Sequence, residues 1–592
     1  MKTDNTIWNL DDILTALEFP KLFKKISSDL KKLTGMVVKL KPGMGKREFI
    51  TIIDFTEQLS ENLARLYDMP ALRETVDQQD THAKKLKEQA KDLAIKVEDA
   101  MRPLNHWLKG KQTGKLKLLD AKNAKRLFTA VPKLSYILER QRTLAKYTLS
   151  EPEEKIISRK DSTGTSVLLD MWSVLETEQT FEFKLPGKKP LTIQTESELR
   201  SYVFSPKPEE REAAYNSLFE TYKHNLPKYF LIYQSVIKDW ANDAELRGYK
   251  SPLAVRNIAN DLEDSTVQAL IEVVQEYTPL FRKFFELKAK VLKVKKLRRF
   301  DLYAPVAEAD KKVSFPLAQE TVLEVLNAFH KPFHDKAKQI ITEKHIDSHP
   351  APNKQSGAFC ATISPKISPY ILLNYSGSVR DVSTLAHELG HGIHSLYSNV
   401  QAYSGQNAPL PLAETASTLS EMLMFDHELE HAAPELRKSL LFNKIGDIYA
   451  TIMRQIYFVM FEIDAHKAIQ KGITAEELST VYMENLQKQF GDSILISADF
   501  RYEWSYVPHF VKSPFYVYAY AFGELLALSL YSLYKQHGKK FIPKIEQVLT
   551  AGGSAQSAKI LQEIGLDFTK RDFWRQGFKI VDDLLAKLAS EI

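Results

Sequence analysis

The chain has a single cysteine, Cys360, in 592 residues. No intrachain disulfide can form, and a cysteine-built zinc site is excluded. Such a chain suits a reducing compartment. Proline and glycine are sparse, at 26 and 22 residues, which disfavours a turn-rich all-β assembly and suits long helices. Long apolar runs are absent: Gln455–Phe461 and Leu525–Leu533 fall far short of the roughly 18 residues that signal a membrane span. The opening MKTDNTIWNLDDILTALEF carries no apolar h-region, so no signal peptide is expected. The expectation is a cytoplasmic protein with no membrane partner. Neither sign of charge dominates, since 81 Lys+Arg stand against 75 Asp+Glu for a net +6. Over this length the excess does not point to nucleic acid, and the basic clusters Lys84–Arg126 and Lys288–Arg299 read as solvated helix faces.

What is present reads as a folded, mainly helical chain, 44% hydrophobic and 26% charged. At roughly 150 residues per domain the length allows three or four domain-sized units. Apolar positions recur at three and four spacing over 45–70, 80–100, 127–147 and 208–240, with a loop at Gly110–Gly114. The patch Val167–Tyr202 differs: Phe181, Phe183 and Leu185 alternate before a Pro-Gly turn, which suggests a small hairpin or extended arm. Ser205-Pro-Lys-Pro then precedes a helix start, and we place a soft boundary near residue 200. Helices are expected over 253–292 and near 318–344, with a strand or loop at Phe300–Pro305. Two short extended runs follow at Gly357–Ile363 and Pro369–Tyr375, and the chain from Ser383 reads mostly as helix. No fixed-period repeat is visible.

One stretch stands above this background: DVSTLAHELGHGIHSLYS, which contains His387-Glu388-Leu389-Gly390-His391. On a helix, residues four apart share a face, so His387 and His391 can present two imidazoles to one zinc ion. Glu388 lies beside them, where it can hold the attacking water. Asp381 and Ser383 can cap the helix start. Catalytic zinc takes three protein ligands and keeps one position open. The metzincin solution would need Gly at 394 and His at 397, whereas the chain has His394 and Tyr397. A carboxylate from a second helix is the alternative, and Pro409-Leu-Pro-Leu-Ala-Glu414 offers one in the first turn after two prolines. Glu414 is therefore the expected third ligand. Glu421, seven residues on, shares its face and can accept a proton from a ligand imidazole, with Asp381 as the competitor for that role. His394 reads as structural or as support for a ligand. The extended runs upstream could form a small sheet whose edge accepts a peptide as an added strand. Cys360, within them, reads as a small buried apolar residue.

A second stretch is Tyr502-Glu-Trp-Ser-Tyr506-Val-Pro-His509, followed by Ser513-Pro-Phe-Tyr516-Val-Tyr518-Ala-Tyr520. Peptide hydrolysis builds negative charge on the carbonyl oxygen, and Tyr hydroxyls and an imidazole are suitable donors to it. Tyr516 and Tyr520, four apart, would share a helix face, with Tyr518 pointing away. An aromatic packing stripe is the competing reading.

Taken together, HELGHGIHS, AETAST…E and the His…FYVYAYAFG segment resemble the M3 family of zinc metallopeptidases, in its oligoendopeptidase F branch. WNLDDI, EEREAAYNSLFETYKHN, RGYKSPL, DLYAP, KQSGAFC and ILLNYSG extend the resemblance along the chain. It implies a mostly α, elongated zincin-type fold with a deep central channel and a small β-sheet beside the active-site helix. Residues 1–200 would wall the channel and 201–592 would hold the catalytic domain. It implies one Zn2+ ion on His387, His391 and Glu414, with Glu388 as general base and His509 on the substrate side. Among Tyr516, Tyr518 and Tyr520, helical geometry favours Tyr516 and Tyr520 as the catalytic pair. The substrates would be short peptides cut at internal bonds, by a monomer or weak homo-oligomer that binds no nucleic acid. A zinc carboxypeptidase on a similar helical scaffold is the alternative activity. A non-catalytic peptide or metal binder is disfavoured by the intact His-Glu-His set with Glu414.

Overall fold

The computed structural model describes residues 6–306 and 312–592. It is mostly helical, and among the described residues no helix is long and apolar enough to cross a membrane. Two compact units emerge, each assembled from three separate stretches.

The first unit draws its described residues from Met1–Lys146, Asp310–Glu428 and Leu533–Asp567. Three long helices, Phe19–Val37, Lys46–Val76 and Thr81–Lys109, pack through Ile26, Leu33, Phe49, Leu59, Leu66, Leu93 and Trp107. Asp80 caps the third helix by accepting from the Ala83 amide at 2.9 Å, and Gly110 ends it in the left-handed region at φ 71°. The second and third helices run past Pro70 and Pro103 rather than stopping near them. Interior prolines cost a ladder hydrogen bond; here Pro70 is buried between the buried Met69 and Leu72. Elsewhere proline does break the pattern. The span 127–147 splits into Ala121–Phe128 and Ser135–Leu144 around Pro132, and 318–344 splits into Phe315–Phe329 and Lys331–Thr342 beside Pro332.

A three-stranded sheet follows in the same unit. Ile346–Asp347 pairs in parallel with Tyr370–Leu372, which pairs antiparallel with the edge strand Phe359–Ala361, Cys360 lying opposite Ile371. The edge strand packs beside the helix Val379–Ser398, which carries the His-Glu-His motif, and the helix Ile542–Ala551 packs on that same helix.

The second unit draws its described residues from Tyr147–Ala309, Leu429–Ser532 and Phe568–Ile592. Its hairpin pairs Phe181–Phe183 antiparallel with Leu191–Ile193; Phe181 and Phe183 are buried and Glu182 is exposed, as the alternation requires. The span 208–240 is two helices, Pro208–His224 and Leu226–Leu246, divided at Asn225 before Pro227. Residues 299–301 form a short 3-10 turn, so Phe300–Pro305 resolves as turn and loop.

The core of this unit contains an ion pair. Arg299 donates to Glu503 at 2.7 Å, with side chains only 2% and 1% exposed. Tyr506 and Tyr482 donate to the two Glu503 oxygens at 2.9 and 3.0 Å. Burial disfavours the Glu503 charge, but Arg299 and Arg454 outweigh it and hold the carboxyl below its ordinary value. Removing one partner of such a pair leaves the other charge buried and uncompensated. Glu503→Leu should therefore destabilise the second unit by about 3–5 kcal/mol in urea unfolding; a loss under about 1 kcal/mol would contradict this account of the core.

Candidate metal centre

The motif helix starts with a reciprocal cap. Ser378 Oγ accepts from the Asp381 amide at 3.2 Å, and Asp381 Oδ2 accepts from the Ser378 amide at 2.9 Å. Val382, Leu385, Ala386, Leu389 and Ile393 bury one side of the helix. On its other side the His387 and His391 rings lie 4.9 Å apart at 81°. The second element arrives through Pro409 and Pro411 into the short helix Leu410–Ala413, and Glu414 occupies the joint before the helix Thr415–His431. Ser417 Oγ donates to Glu414 Oε2 at 2.7 Å and fixes the carboxylate.

Glu414 Oε2 lies 3.4 Å from His387 Nε2 and 3.4 Å from His391 Nε2. Two ligands of a tetrahedral ion at 2.0–2.1 Å stand about 3.3–3.4 Å apart, so the spacing and the donor set both fit zinc. Among the described residues these three form the group able to hold a metal ion. His387 Nδ1 lies 3.2 Å from Glu421 Oε2, which directs its Nε2 lone pair toward the shared point. Burial disfavours a charged His387, but the Glu421 hydrogen bond and the Glu414 and Glu421 charges outweigh it, raising the pKa to about 9. Burial holds His391 below its ordinary value. A site this rich in carboxylate charge draws a cation, whether proton or metal.

Glu388 is buried, and its Oε2 has no hydrogen-bond partner among the described residues. Burial, with Glu414 adding and His387 opposing, raises its pKa to about 7. A cavity of about 410 Å³ opens beside the ligands, lined among others by Cys360, Thr362, Glu388, His391 and His394.

The second aromatic stretch lies in the second unit. His509 Nε2 is 3.3 Å from the Tyr520 hydroxyl, the His509 and Tyr516 rings lie nearly parallel at 6.3 Å, and the Tyr516 and Tyr520 rings meet edge-on at 5.2 Å. Tyr518 is buried and points elsewhere, its hydroxyl accepting from Asn260 at 2.8 Å.

The sequence pattern of Peptidase family M3 matches residues 201–580. The chain belongs to peptidase family M3. This M3 peptidase is 25% identical to an oligoendopeptidase F homolog of Lactococcus lactis subsp. lactis (strain IL1403), over 99% of this chain and 97% of that one. It is 31% identical to an oligoendopeptidase F homolog of Borreliella burgdorferi over 72% of each chain. These relatives place it in the oligoendopeptidase F branch. A crystal structure of a peptidase from Chlamydophila abortus shares its fold, with a TM-score of 0.85 at 24% identity over 99% of this chain and 98% of that one.

Within this M3 peptidase several sequence expectations sharpen. Glu421, and not Asp381, meets the His387 imidazole; Asp381 Oδ2 instead accepts from Ser376 and Ser378 at the helix start. The cap is Ser378 rather than Ser383, which lies inside the helix. His394 stays outside the ligand group; it is buried, and burial lowers its pKa to about 4. The Cys360 thiol is held well above its ordinary pKa by burial and by the Glu388 charge, so it is a poor nucleophile. Tyr516 precedes the helix Tyr518–His537, so its meeting with Tyr520 comes from the turn rather than from a shared helix face. Two contributors escaped the sequence reading. Ser417 holds Glu414, and its signal was a hydroxyl one turn beyond a ligand carboxylate. Gly390 was the other: a Cβ there would sit 2.5 Å from the Ala416 oxygen, so only glycine lets the two helices approach.

Glu421→Ala should weaken metal affinity about 10–100-fold, while Asp381→Ala should leave affinity unchanged and cost about 1 kcal/mol of stability through the cap. Competition with a chelator and thermal melts separate the two; equal affinities in both variants would contradict the assignment. Because His387 must lose a proton held with a pKa near 9, affinity should fall as pH falls through neutrality. A flat profile would contradict it.

Proposed function

We propose that this metallo-oligoendopeptidase uses one zinc ion, held by His387, His391 and Glu414, to hydrolyse internal bonds of short peptides. The observation that carries the reading is the meeting of His387 Nε2, His391 Nε2 and Glu414 Oε2 at 3.4 Å spacing beside the unpartnered Oε2 of Glu388, in a chain of family M3. Two imidazoles and one carboxylate, with no thiolate, are a donor set typical of catalytic zinc. When bound, zinc supplies a Lewis acid that polarises the scissile carbonyl and makes water a better nucleophile.

The chain's own residues do the rest. Glu388 takes the proton of the attacking water on Oε2 and later delivers it to the leaving amine nitrogen. Its pKa of about 7 suits both directions of that transfer near neutral pH. Glu421 holds the Nδ1 proton of His387 and keeps that ring from turning. The edge strand Phe359–Ala361 offers backbone groups to an extended peptide. His509, Tyr516 and Tyr520 serve as donors to the carbonyl oxygen as it gains charge; the family resemblance and their clustering support this role.

Glu388→Gln should retain zinc and lose hydrolysis by at least about 10²–10⁴-fold. Loss of the metal in that variant, or near-normal turnover, would overturn the assignment. Mass-spectrometric mapping of free and end-blocked peptides of graded length, with and without a chelator, tests the activity itself. The expected result is internal cleavage of the end-blocked peptides that stops with the chelator and returns with added zinc. Release of carboxy-terminal residues alone would favour a carboxypeptidase.

A further inference from the structure

The turn that presents Tyr516 is held in an unfavourable conformation by side chains from two other helices. Phe515 sits at φ 58°, in the left-handed region that a bulky L-residue rarely adopts. Its amide donates to Glu462 Oε1 at 2.7 Å. Glu462 lies on the helix Arg454–Gln470 and is fully buried, and its Oε2 has no partner among the described residues. One turn along the same helix, the buried His466 packs its ring 4.5 Å from Phe515. From the helix Pro252–Ala259, Arg256 Nε donates to the Pro514 carbonyl at 3.2 Å, and its guanidinium lies 5.8 Å from the centre of the Tyr516 ring. The single peptide unit between Pro514 and Phe515 is thus gripped at both ends, its N–H by Glu462 and its C=O by Arg256. Burying a carboxyl is costly, and here the Phe515 amide and the nearby Arg256 charge offset only part of that cost.

We propose that Glu462 and Arg256 are positioning residues that clamp the Pro514–Phe515 turn and thereby hold Tyr516 against His509 and Tyr520, the trio read above as oxyanion donors. Glu462 touches no substrate; it acts through the Phe515 backbone. Arg256 acts through the Pro514 carbonyl and by lying over the Tyr516 ring. The catalytic half of the proposal rests on the reading of His509 and the tyrosines as oxyanion donors. The clamp itself stands on the hydrogen bonds alone.

The test compares Glu462→Met, which keeps the volume and removes the acceptor, with Glu462→Gln, which keeps a carbonyl for the Phe515 amide. Each is prepared as zinc-loaded full-length enzyme, with a ring fluorine on Tyr516 for NMR. In E462M the fluorine resonance should shift or broaden, and kcat on a quenched-fluorescent peptide should fall about 10–100-fold with KM within about twofold and zinc content unchanged. E462Q should keep the wild-type resonance and a kcat within about threefold. An unmoved resonance in E462M overturns the clamp. A moved resonance with unchanged kcat, in an enzyme that His509→Ala does impair, overturns the positioning role. If His509→Ala and Tyr520→Phe also leave kcat unchanged, the oxyanion reading fails while the clamp survives. Should E462M fail to fold, Arg256→Met carries the same two readouts with the same overturning results.

Discussion

The metal centre depends on a close crossing of two helices at Gly390. A Cβ on that residue would lie 2.5 Å from both the Ala416 oxygen and the Ser417 Cα, so the backbone after Glu414 passes directly over the backbone of the motif. Glycine inside a helix costs about 1 kcal/mol relative to alanine. That cost is offset here because the approach brings Glu414 within reach of both imidazoles and lets Glu421 meet His387 two turns later. On the other side Gly392 leaves room for Ile340, where a Cβ would come within 2.5 Å of its Cδ1. The candidate ligand set is therefore a consequence of backbone proximity, and Ser417 and Glu421 refine what the crossing makes possible.

Buried carboxyl groups show how the same residue type serves different ends. Glu503 is matched by Arg299 and Arg454 and stays ionised, a fixed charge at the centre of its unit. Glu462 accepts one backbone amide, and burial pushes its carboxyl well above the ordinary range. Glu388 lies between these cases: it is buried, and burial raises its pKa to about 7 with the nearby His387 opposing. Environment gives three buried carboxyl groups different charge states that composition cannot tell apart.

Much of the local structure was legible because helical period and strand alternation leave direct marks. The hairpin at Phe181 appears where alternation placed it, and strands form within the extended runs Gly357–Ile363 and Pro369–Tyr375. The meeting of His387, His391 and Glu414 was legible because four-residue spacing on one helix and a proline-led second segment are sequence features. Proline was an unreliable marker of helix ends. Pro70 and Pro103 lie inside helices, while Pro132 and Pro332 accompany breaks. The choice between Asp381 and Glu421 needed the path of the second helix, and the choice of Ser378 over Ser383 needed the local turn. Glu462 left only a faint trace, a charge within the apolar run IYFVMFEI, whose partner is 53 residues away. Which stretches join to form each unit was likewise beyond local pattern, since each unit draws on three distant segments.

Zinc K-edge X-ray absorption on the purified, metal-loaded protein tests the central claim most directly. The account predicts a four-coordinate first shell of nitrogen and oxygen at about 2.0–2.1 Å, with outer-shell scattering from two imidazoles and no sulfur. A sulfur contribution at about 2.3 Å would bring Cys360 into the site and contradict the His387, His391 and Glu414 assignment, as would a shell with fewer than two imidazoles.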